Sequence, residues 1–429
     1  MRITLLTPGT GHFYCGSCLR DSALARSLHE RGHDVQIVPL YLPFVLEDHG
    51  LPEQPIRMGG INMYLQQKLP VLRHAPHWLA GLLDAPGLLR WASTKSDMTD
   101  AEGLGALTLS MLKGEEGRQS RELEKLVAAL SDGARPDVVC LSNVLLAGLV
   151  RRLKQDLGAP VLCTLQGEAP FLDALPGKYS AECWSVLAER ARDIDGFVPV
   201  SRYYGDLMRE RLGLDDSRVH VVHNGIDLAD LRESPAPQPG VPTIGYMARM
   251  CPDKGLPTLV DAFVELKRRG SIGGLRLRAA GVLLRADEAP LRELERRLEA
   301  AGFRGDAEFR PNVERREKLE LLRSLSVFSV PATYGESFGL YLLEALALGV
   351  PVVQPRHGAF PEILDATGGG VLCEPDDPVS LADGLEQLLL DPERARAMGA
   401  RARAVVLERF GVERMAREVE DVCRMVASN

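Results

Sequence analysis

Two glutamates eight positions apart lie in a segment suited to binding a phosphorylated, hydroxyl-rich ligand. Residues 331–363 read PATYGESFGLYLLEALALGVPVVQPRHGAFPEI, and a predicted helix begins between Glu336 and Glu344, which lie about 12 Å apart along its axis. The first N–H groups of a helix bind phosphate. Gly339 and Leu340 are therefore candidates for a phosphate site, with a carboxylate on each side for sugar and ribose hydroxyls. The alternative for such a pair in isolation is one capping glutamate and one on a solvent-facing surface.

Two cations flank a turn earlier in the chain. Residues 244–255 read IGYMARMCPDKG, and Arg249 and Lys254 lie between a predicted strand and a predicted helix. A guanidinium offers a fork of donors and an ammonium adds a point charge. The pair predicts neutralisation of a diphosphate, and the alternative is a solvated loop.

A third candidate is the Cys-x-x-Cys pair Cys15 and Cys18, in the sequence GHFYCGSC between the first predicted strand and helix. A helix N-terminus lowers the pKa of a thiol, which allows a redox role. No second pair completes a four-coordinate zinc site. We favour thiols without a role in the chemistry, while redox regulation and a metal site remain the alternatives.

Short runs rich in Val, Ile and Leu alternate with helical stretches over most of the chain. The strand-like runs are RITLLTP, DVQIVPL, DVVCLS, PVLCTL, GFVPVS, RVHVVHN, PTIGYMA, LRLRAAG, AEFRPNV, SVFSVP, PVVQP and GVLCEP. The helix candidates include Asp21–Arg31, Leu146–Leu157, Leu256–Arg269, Leu291–Ala301 and Leu381–Leu390. Strands without polar alternation are buried on both faces, as in parallel sheets covered by helices. The pattern predicts an α/β fold of repeated βαβ units.

A Pro-rich segment divides this alternation. Residues 232–241 read RESPAPQPGV, have no periodicity and predict a linker. We therefore expect two doubly wound parallel-sheet domains, residues 1–231 and 241–411. Ligands of such sheets bind at the carboxyl ends of the strands, which predicts a site in a deep cleft that the two domains face.

Residues 42–132 interrupt the first domain. Gly60–Ser93 is apolar and holds two of the three tryptophans, which favours an inserted helical subdomain packed on the first sheet. The alternative is an acceptor-binding surface or a peripheral contact with a membrane. The polar stretch Thr94–Gly117 predicts a loop or cover.

Composition limits the classes of function. The 429 residues are 45% hydrophobic and 26% charged, which is typical of globular proteins, and a net charge of −8 argues against nucleic acid as a partner. The N-terminal apolar run is too short for a signal peptide, and no run of about 18 apolar residues follows. Most of the eight cysteines lie within apolar runs. We therefore expect a cytoplasmic protein with reduced thiols.

Taken together and in this order, the motifs resemble those of the retaining glycosyltransferases of family 4, also called group 1. They comprise the opening turn, LHERGHDV at Leu28–Val35, VPVS at Val198–Ser201, VVHNGID at 221–227, MARMCPDKG and ESFGLYLLEALALGVPVV. The resemblance covers nearly the whole chain. It implies the GT-B fold, with a Rossmann-like acceptor domain, a Rossmann-like nucleotide-sugar donor domain, and a C-terminal helix, 412–429, that rejoins the first domain.

The resemblance also implies an activity. Such enzymes move a hexose from a nucleoside diphosphate sugar, here a UDP-sugar by preference, to an acceptor hydroxyl with retention, in polysaccharide or glycoconjugate synthesis. No metal or other cofactor is implied. The acceptor, whether sugar, lipid or small molecule, and the oligomeric state stay open.

Residue roles follow from the same resemblance. The matches to catalytic positions are Glu336 near the transferred sugar, Arg249 and Lys254 on the diphosphate, and Gln166 facing the donor sugar. The matches to donor-binding positions are Gly16, Glu344, Gly339, Leu340, Phe338, Val313 and Asn224. Among them, Gly16 falls on a glycine pair that lets the backbone approach phosphate, Glu344 on the ribose contact, and Val313 on a base contact.

Two departures from the family pattern affect this assignment. Many members have His where this chain has Gln166, and a Gly-containing turn where it has Arg310-Pro311-Asn312. Glutamine can bond a sugar hydroxyl but cannot carry a proton charge, and in such enzymes the leaving diphosphate is thought to take the acceptor proton. Glu168 and Asp173 are candidate acceptor or sugar contacts, with a solvated loop as the equal alternative.

Gln166 also supports an alternative from another class, a catalytically silent GT-B protein that binds a nucleotide or has a regulatory role. The joint presence of Arg249, Lys254, Glu336 and Glu344 argues against it. The same residues disfavour a sugar-nucleotide epimerase.

Overall fold

The computed structural model describes residues 1–9, 16–41, 101–132, 134–232 and 240–428. These residues belong to two compact units, one formed by Met1–His223 with Val412–Asn429 and the other by Asn224–Gly411. The division precedes the Pro-rich segment at which we predicted it, because the backbone of Ile226 bonds Phe410 (2.9 Å) and Arg403 donates to the carbonyl of Leu231 (2.8 Å). The chain from Asn224 to Leu231 is thus built into the second unit.

The first unit has a five-stranded sheet in the order β2-β1-β3-β4-β5, with every pair parallel. Its strands are β1 (Arg2–Thr7), β2 (Asp34–Pro39), β3 (Val138–Leu141), β4 (Val161–Leu165) and β5 (Gly196–Pro199). The strand predicted over RVHVVHN is absent. That segment instead runs beside the edge strand β5, with one bridge at Val219 and two bonds, from His220 to Phe197 and from Val222 to Pro199.

Helices cover both faces of this sheet. They are α1 (Gly16–Glu30), α2 (Ala101–Leu112), α3 (Ser120–Ser131), α4 (Val150–Leu157), α5 (Ala169–Asp173), α6 (Gly177–Arg190), α7 (Arg202–Leu212) and, from the end of the chain, α15 (Val412–Ala427). Along β1, Leu5 packs with α1 and α15, and Leu6 packs with the helices on the other face. The sheet is therefore buried on both sides, as its apolar strands predict.

The C-terminal helix α15 joins the first unit through charge as well as packing. Glu420 on this helix is buried and pairs with Arg31 (2.6 Å) and His33 (3.2 Å). Met415 and Cys423, on the same helix, are fully buried against α1 and the sheet.

The interruption after β2 differs from its prediction. Thr94–Gly117, predicted as a loop, contains α2, whose Leu109 and Leu112 enter the core because leucines recur at helical spacing among the polar residues. Helix α3 buries Leu123, Leu126 and Leu130 and is a crossover helix between β2 and β3, so the inserted segment ends before it. Gly60–Ser93 lies outside the described residues.

The second unit has a six-stranded parallel sheet in the order β11-β10-β9-β6-β7-β8. Its strands are β6 (Thr243–Met247), β7 (Arg276–Gly281), β8 (Ala307–Pro311), β9 (Val327–Phe328), β10 (Val352–Pro355) and β11 (Gly370–Cys373). The chain builds outward from β6 to β8, returns to β9 beside β6 and builds outward again. The switch point, where ligands of such sheets bind, is at the carboxyl ends of β6 and β9.

The helices of the second unit are α8 (Leu256–Arg269), α9 (Glu288–Ala300), α10 (Arg315–Arg323), α11 (Leu340–Ala347), α12 (Phe360–Thr367), α13 (Pro378–Leu390) and α14 (Pro392–Arg409). Local signals set their ends. Helix α8 follows Gly255 and stops at Gly270, both in the left-handed conformation, and the Asp377 carboxylate caps α13 through the N–H groups of Val379 and Ser380. None of the described helices has the length and apolar composition needed to cross a membrane.

Candidate functional site

The loops after β6 and β9 are joined at the switch point of the second sheet. Thr333 donates its N–H to the carbonyl of Asp253 (3.0 Å). Gly255 has a φ of +72°, and a Cβ there would lie 1.8 Å from the carbonyl oxygen of Pro331. A glycine is thus required both for the turn and for the approach of the second loop, and together these contacts place Lys254 beside Glu336.

Lys254 and Glu336 bond directly, Nζ to Oε2. The hydroxyl of Tyr341 donates to the same Oε2 (2.9 Å), and that of Tyr334 lies at 3.5 Å. The Lys254 ammonium is 5.0 Å from the centroid of the Tyr334 ring and 5.6 Å from that of Tyr341. Burial opposes the charged form of Lys254, but the Glu336 carboxylate outweighs it and raises the pKa of Lys254. The lysine is therefore a fixed cation.

The loop after β10 holds the backbone of Glu336. Ala359 donates its N–H to the Glu336 carbonyl (2.9 Å), and His357 Nε2 lies 2.8 Å from the carbonyl of Ala332. Gly358, at φ +60°, leaves no room for a Cβ, which would lie 2.6 Å from the Glu336 nitrogen. The position of the Glu336 side chain is thus set by two loops of the sheet.

Arg249 is held by a partner that the sequence analysis missed. Its Nε and one terminal nitrogen donate to the two oxygens of Asp287, at 2.7 and 3.1 Å. Asp287 follows β7 and is 4% exposed, whereas the Arg249 side chain is 45% exposed. The backbones of the two loops bond as well, since the N–H of Met250, next to Arg249, donates to the carbonyl of Val282 after β7 (2.8 Å). The sequence signal that could have identified Asp287 is its position after β7, which pairs in parallel with β6.

Helix α11 begins where it was predicted. Gly339 precedes it with a φ of +89°, Leu340 is its first residue, and Phe338 is buried. Glu344, within the helix, accepts a bond from Lys318 Nζ on α10 at 2.5 Å. Lys318 is a second partner that the sequence analysis missed. The helix N-terminus and Glu344 thus belong to the same unit as Lys254 and Glu336.

The turn after β8 resolves one departure from the family pattern. Asn312 adopts a φ of +57°, its N–H donates to Gly281 (2.7 Å), and its Oδ1 accepts from the N–H of Leu283 (3.1 Å). Asparagine tolerates this left-handed conformation better than most residues. Asn312 therefore forms a left-handed turn at the position where the resemblance led us to expect a glycine, and Val313 follows it, half-buried.

In the first unit, Gln166 lies beyond β4 among buried polar groups. Its Nε2 donates to the carbonyl of Ser142 (2.6 Å), with Asp21 Oδ1 at 3.4 Å. Asp21 is fully buried, accepts a bond from the Ser142 hydroxyl and pairs with Arg20 (2.8 Å). These groups follow β1, β3 and β4, at the switch point of the first sheet. They fix the amide group of Gln166.

The solvated-loop interpretation of Glu168 was wrong. The residue is buried and accepts bonds from the N–H groups of Val144, Gln166 and Gly167 and from the Tyr204 hydroxyl. Burial raises the pKa of Glu168 against the effect of these donors. The carboxylate organises the loop.

Asp173 is exposed and is also bonded locally. It accepts two bonds from Arg211 (3.0 and 3.1 Å) and one from the Trp184 ring N–H (2.9 Å). These bonds tie α5 to α6 and α7 at the surface of the first unit.

The remaining predicted positions are described in part. Gly16 is the first residue of α1, and Asn224 is buried at the start of the second unit. Cys15 lies outside the described residues. Cys18 is buried, with its sulfur 3.8 Å from the Thr7 hydroxyl. The described cysteines are all buried and unbridged, and no group of three or more potential ligands for a metal occurs in the described parts of the chain.

Two family models match the chain. One, described as Glycosyl transferases group 1, matches residues 229–405, and the other, a Glycosyl transferase 4-like domain, matches residues 22–225. The matches do not overlap and together take in most of the chain.

Curated relatives are similar over part of their length. A D-inositol 3-phosphate glycosyltransferase of Xylanimonas cellulosilytica is 32% identical over 246 residues, which are 53% of this chain and 56% of the relative. A glycogen synthase of Mycobacterium tuberculosis is 29% identical over 63% of this chain and 64% of its own. The chain thus spans less than two thirds of these relatives.

A solved structure matches at full length. HepE of Anabaena, in complex with UDP and glucose, superimposes with a TM-score of 0.71 at 15% identity, over 99% of this chain and 100% of its own. The sucrose-phosphate synthase of Thermosynechococcus elongatus also gives 0.71, at 20% identity, over 100% and 99%. At these identities the match concerns the fold.

Proposed function

This chain belongs to the group 1 glycosyltransferases, family 4, and has their GT-B fold of two Rossmann-like units, and we propose that it transfers a hexose from a nucleoside diphosphate sugar to an acceptor hydroxyl with retention. The observation that carries the proposal is the Lys254–Glu336 contact, with Arg249 nearby, at the switch point of the second sheet. A cation for phosphate and a carboxylate for hydroxyls lie within one hydrogen bond of each other.

In the proposed complex the donor diphosphate binds to Arg249 and Lys254. Asp287 orients the Arg249 fork, and Lys254 is a charge in contact with two tyrosine rings. The first N–H groups of α11, at Gly339 and Leu340, add donors for the distal phosphate, because a helix N-terminus favours an anion. Protein cations thus do the work that a magnesium ion does in other sugar-nucleotide enzymes.

The nucleoside occupies the rest of the same unit in this proposal. Glu344 binds the ribose hydroxyls, and Lys318 orients its carboxylate. The backbone at Val313 reads the base, on the turn that Asn312 fixes. Phe338 and Asn224 are buried supports of the donor site. UDP is the first nucleotide to test, since a relative of the same fold was solved with it.

Glu336 contacts the transferred sugar in this proposal, and Gln166 and Gly16 keep the donor-contact roles that the resemblance implies. Gln166 is neutral, so the leaving diphosphate takes the acceptor proton on the face from which it departs. Catalysis then rests on stabilising the charge that develops on the diphosphate, which preorganised cations and N–H groups do well. The acceptor is a hydroxyl compound that we leave unassigned.

A screen for ligands followed by an assay tests the proposal. A thermal-shift series across UDP-glucose, UDP-galactose, UDP-N-acetylglucosamine and GDP-mannose should identify the donor, because a ligand at about 100 times its Kd adds about 2.7 kcal/mol of stability. The stabilising sugar nucleotide should then be hydrolysed slowly without an acceptor and faster with a sugar or lipid acceptor. Binding with no release of sugar under either condition would favour the silent nucleotide-binding protein.

A further inference from the structure

Every bond that the structure gives to the Glu336 carboxylate, within the described residues, falls on one of its oxygens. Oε2 accepts from Lys254 Nζ, from the Tyr341 hydroxyl at 2.9 Å and, at the limit of a hydrogen bond, from the Tyr334 hydroxyl at 3.5 Å. The residue itself is 8% exposed. A carboxylate tied by one oxygen presents the other in a defined direction.

The Tyr341 hydroxyl donates to Oε2 of Glu336 at the shorter of the two tyrosine distances. Tyr341 is the second residue of α11, and its ring packs against Phe328 of β9 with centroids 6.2 Å apart. This contact holds the ring beside Glu336. Burial first, and the Glu336 charge second, raise the pKa of Tyr341, so its hydroxyl keeps its proton and donates it.

We propose that Tyr341 is a positioning residue for Glu336: its hydroxyl anchors Oε2 beside Lys254, so that Oε1 faces the hydroxyls of the donor sugar. The inference rests on the proposed function, since it assigns a partner to the carboxylate that reads the sugar. The Tyr341 hydroxyl makes no bond within α11, because it donates to a side chain outside that helix.

The chemistry of the anchor explains why a hydroxyl is used in addition to the lysine. Lys254 is also the proposed cation for the diphosphate, so donor binding draws its ammonium towards phosphate. A neutral donor at 2.9 Å has no such competing partner and keeps Oε2 in place when the lysine is shared. Tyr334, at 3.5 Å, is too distant to replace it.

The test is the discrimination between a sugar nucleotide and its parent nucleotide. Isothermal titration gives Kd for UDP-glucose and for UDP, or for whichever of UDP-galactose, UDP-N-acetylglucosamine and GDP-mannose binds most tightly together with its nucleotide. Tyr341→Phe removes only the hydroxyl and keeps the ring against Phe328 and Lys254. The discrimination ratio is Kd for the bare nucleotide divided by Kd for the sugar nucleotide. This ratio should fall about tenfold in Tyr341→Phe, because hydrogen bonds to charged groups are the stronger class. Kd for the bare nucleotide should not change.

A double-mutant cycle separates positioning from packing. Glu336→Gln should lower the same ratio, and adding Tyr341→Phe to it should have no further effect, since the hydroxyl acts through Glu336. The matched control is Tyr179→Phe in the first unit, whose ring also lies under a lysine, with Lys178 Nζ 4.8 Å from its centroid. It should keep the wild-type ratio.

The outcomes distinguish this inference from the proposed function. Three results would each overturn the role of Tyr341. The ratio of Tyr341→Phe could equal that of the wild type, the two substitutions could have additive effects in the cycle, or the wild-type protein itself could have a ratio near one. All three are binding measurements, so they hold even if the protein proves unable to transfer sugar. Loss of turnover in Tyr341→Phe with an unchanged ratio would also count against it.

Discussion

The ammonium group of Lys254 bonds the carboxylate of Glu336 across 82 residues of the chain. Their side chains are 21% and 11% exposed, so water screens the pair only in part. Each charge therefore neutralises the other. A diphosphate that binds Lys254 must share it with Glu336 or displace the carboxylate, which links phosphate binding to the position of the sugar-reading group.

Asp287→Asn should weaken UDP binding about tenfold by loosening the Arg249 fork, because hydrogen bonds to charged groups are worth about 1.5–3 kcal/mol. Removing a negative charge near the phosphates would by itself favour binding. We expect the loss of orientation to outweigh this effect, because the Asp287 carboxylate holds the guanidinium through two hydrogen bonds.

The matched control for that variant is Asp306→Asn. Asp306 also pairs with two cations, Lys267 (2.7 Å) and Arg276 (3.3 Å), but precedes β8 and so lies at the amino edge of the sheet. Titration of UDP should find wild-type affinity in this control. Equal affinity in Asp287→Asn would show that the pair does not orient Arg249.

Glu168→Gln should destabilise the first unit although the two side chains have the same shape. An amide nitrogen cannot accept from the N–H groups and hydroxyl that the carboxylate serves, and a buried unsatisfied polar group costs about 1–3 kcal/mol. The melting temperature should fall by about 2–4 °C for each kcal/mol in a unit of this size. Asp173→Asn, at an exposed carboxylate five residues on, should change it little, and equal melting of both variants would contradict this role of Glu168.

The sequence specified the sheets better than the contacts between their loops. Apolar runs fixed both parallel sheets, and Gly255 and Gly270 marked the bounds of α8, which the structure reproduces. The partners Asp287, Tyr341 and Lys318 were missed, because each comes from a different element and only the fold brings it to its site. The burial of Glu168 was missed for the same reason. Helix α2 was missed because polar residues separate its leucines.

Turnover should not require a metal ion. Arg249, Lys254 and the N-terminus of α11 supply the positive charge for the diphosphate in the proposed complex. Sugar release should persist after dialysis against EDTA. Loss of activity that magnesium or manganese restores would refute protein cations as the sole neutralising charge.

The thiols should be inert at neutral pH. Burial raises the pKa of Cys251 and raises that of Cys373 to about 12, so their thiolate fractions stay negligible between pH 7 and 8 and grow only in strong alkali.

The Cys15→Ser/Cys18→Ser variant should keep the UDP affinity and the activity of the wild type, with and without reductant. Gly16→Val should lower that affinity, because a branched side chain would block backbone approach to phosphate. A tenfold change in wild-type activity on reduction would establish a redox role.

The turnover of Glu336→Gln, measured with its Kd for UDP, tests the central claim most directly. If Glu336 contacts the sugar while Lys254 holds phosphate, turnover on the full donor should fall about 100-fold or more, as for other preorganised polar contacts worth about 2.7–4 kcal/mol. UDP should bind at least as tightly as to the wild type, because the carboxylate that competes for Lys254 is neutralised, whereas Lys254→Ala should weaken UDP. Wild-type turnover in Glu336→Gln, or a loss of UDP affinity equal to that of Lys254→Ala, would contradict the division of roles between the two residues.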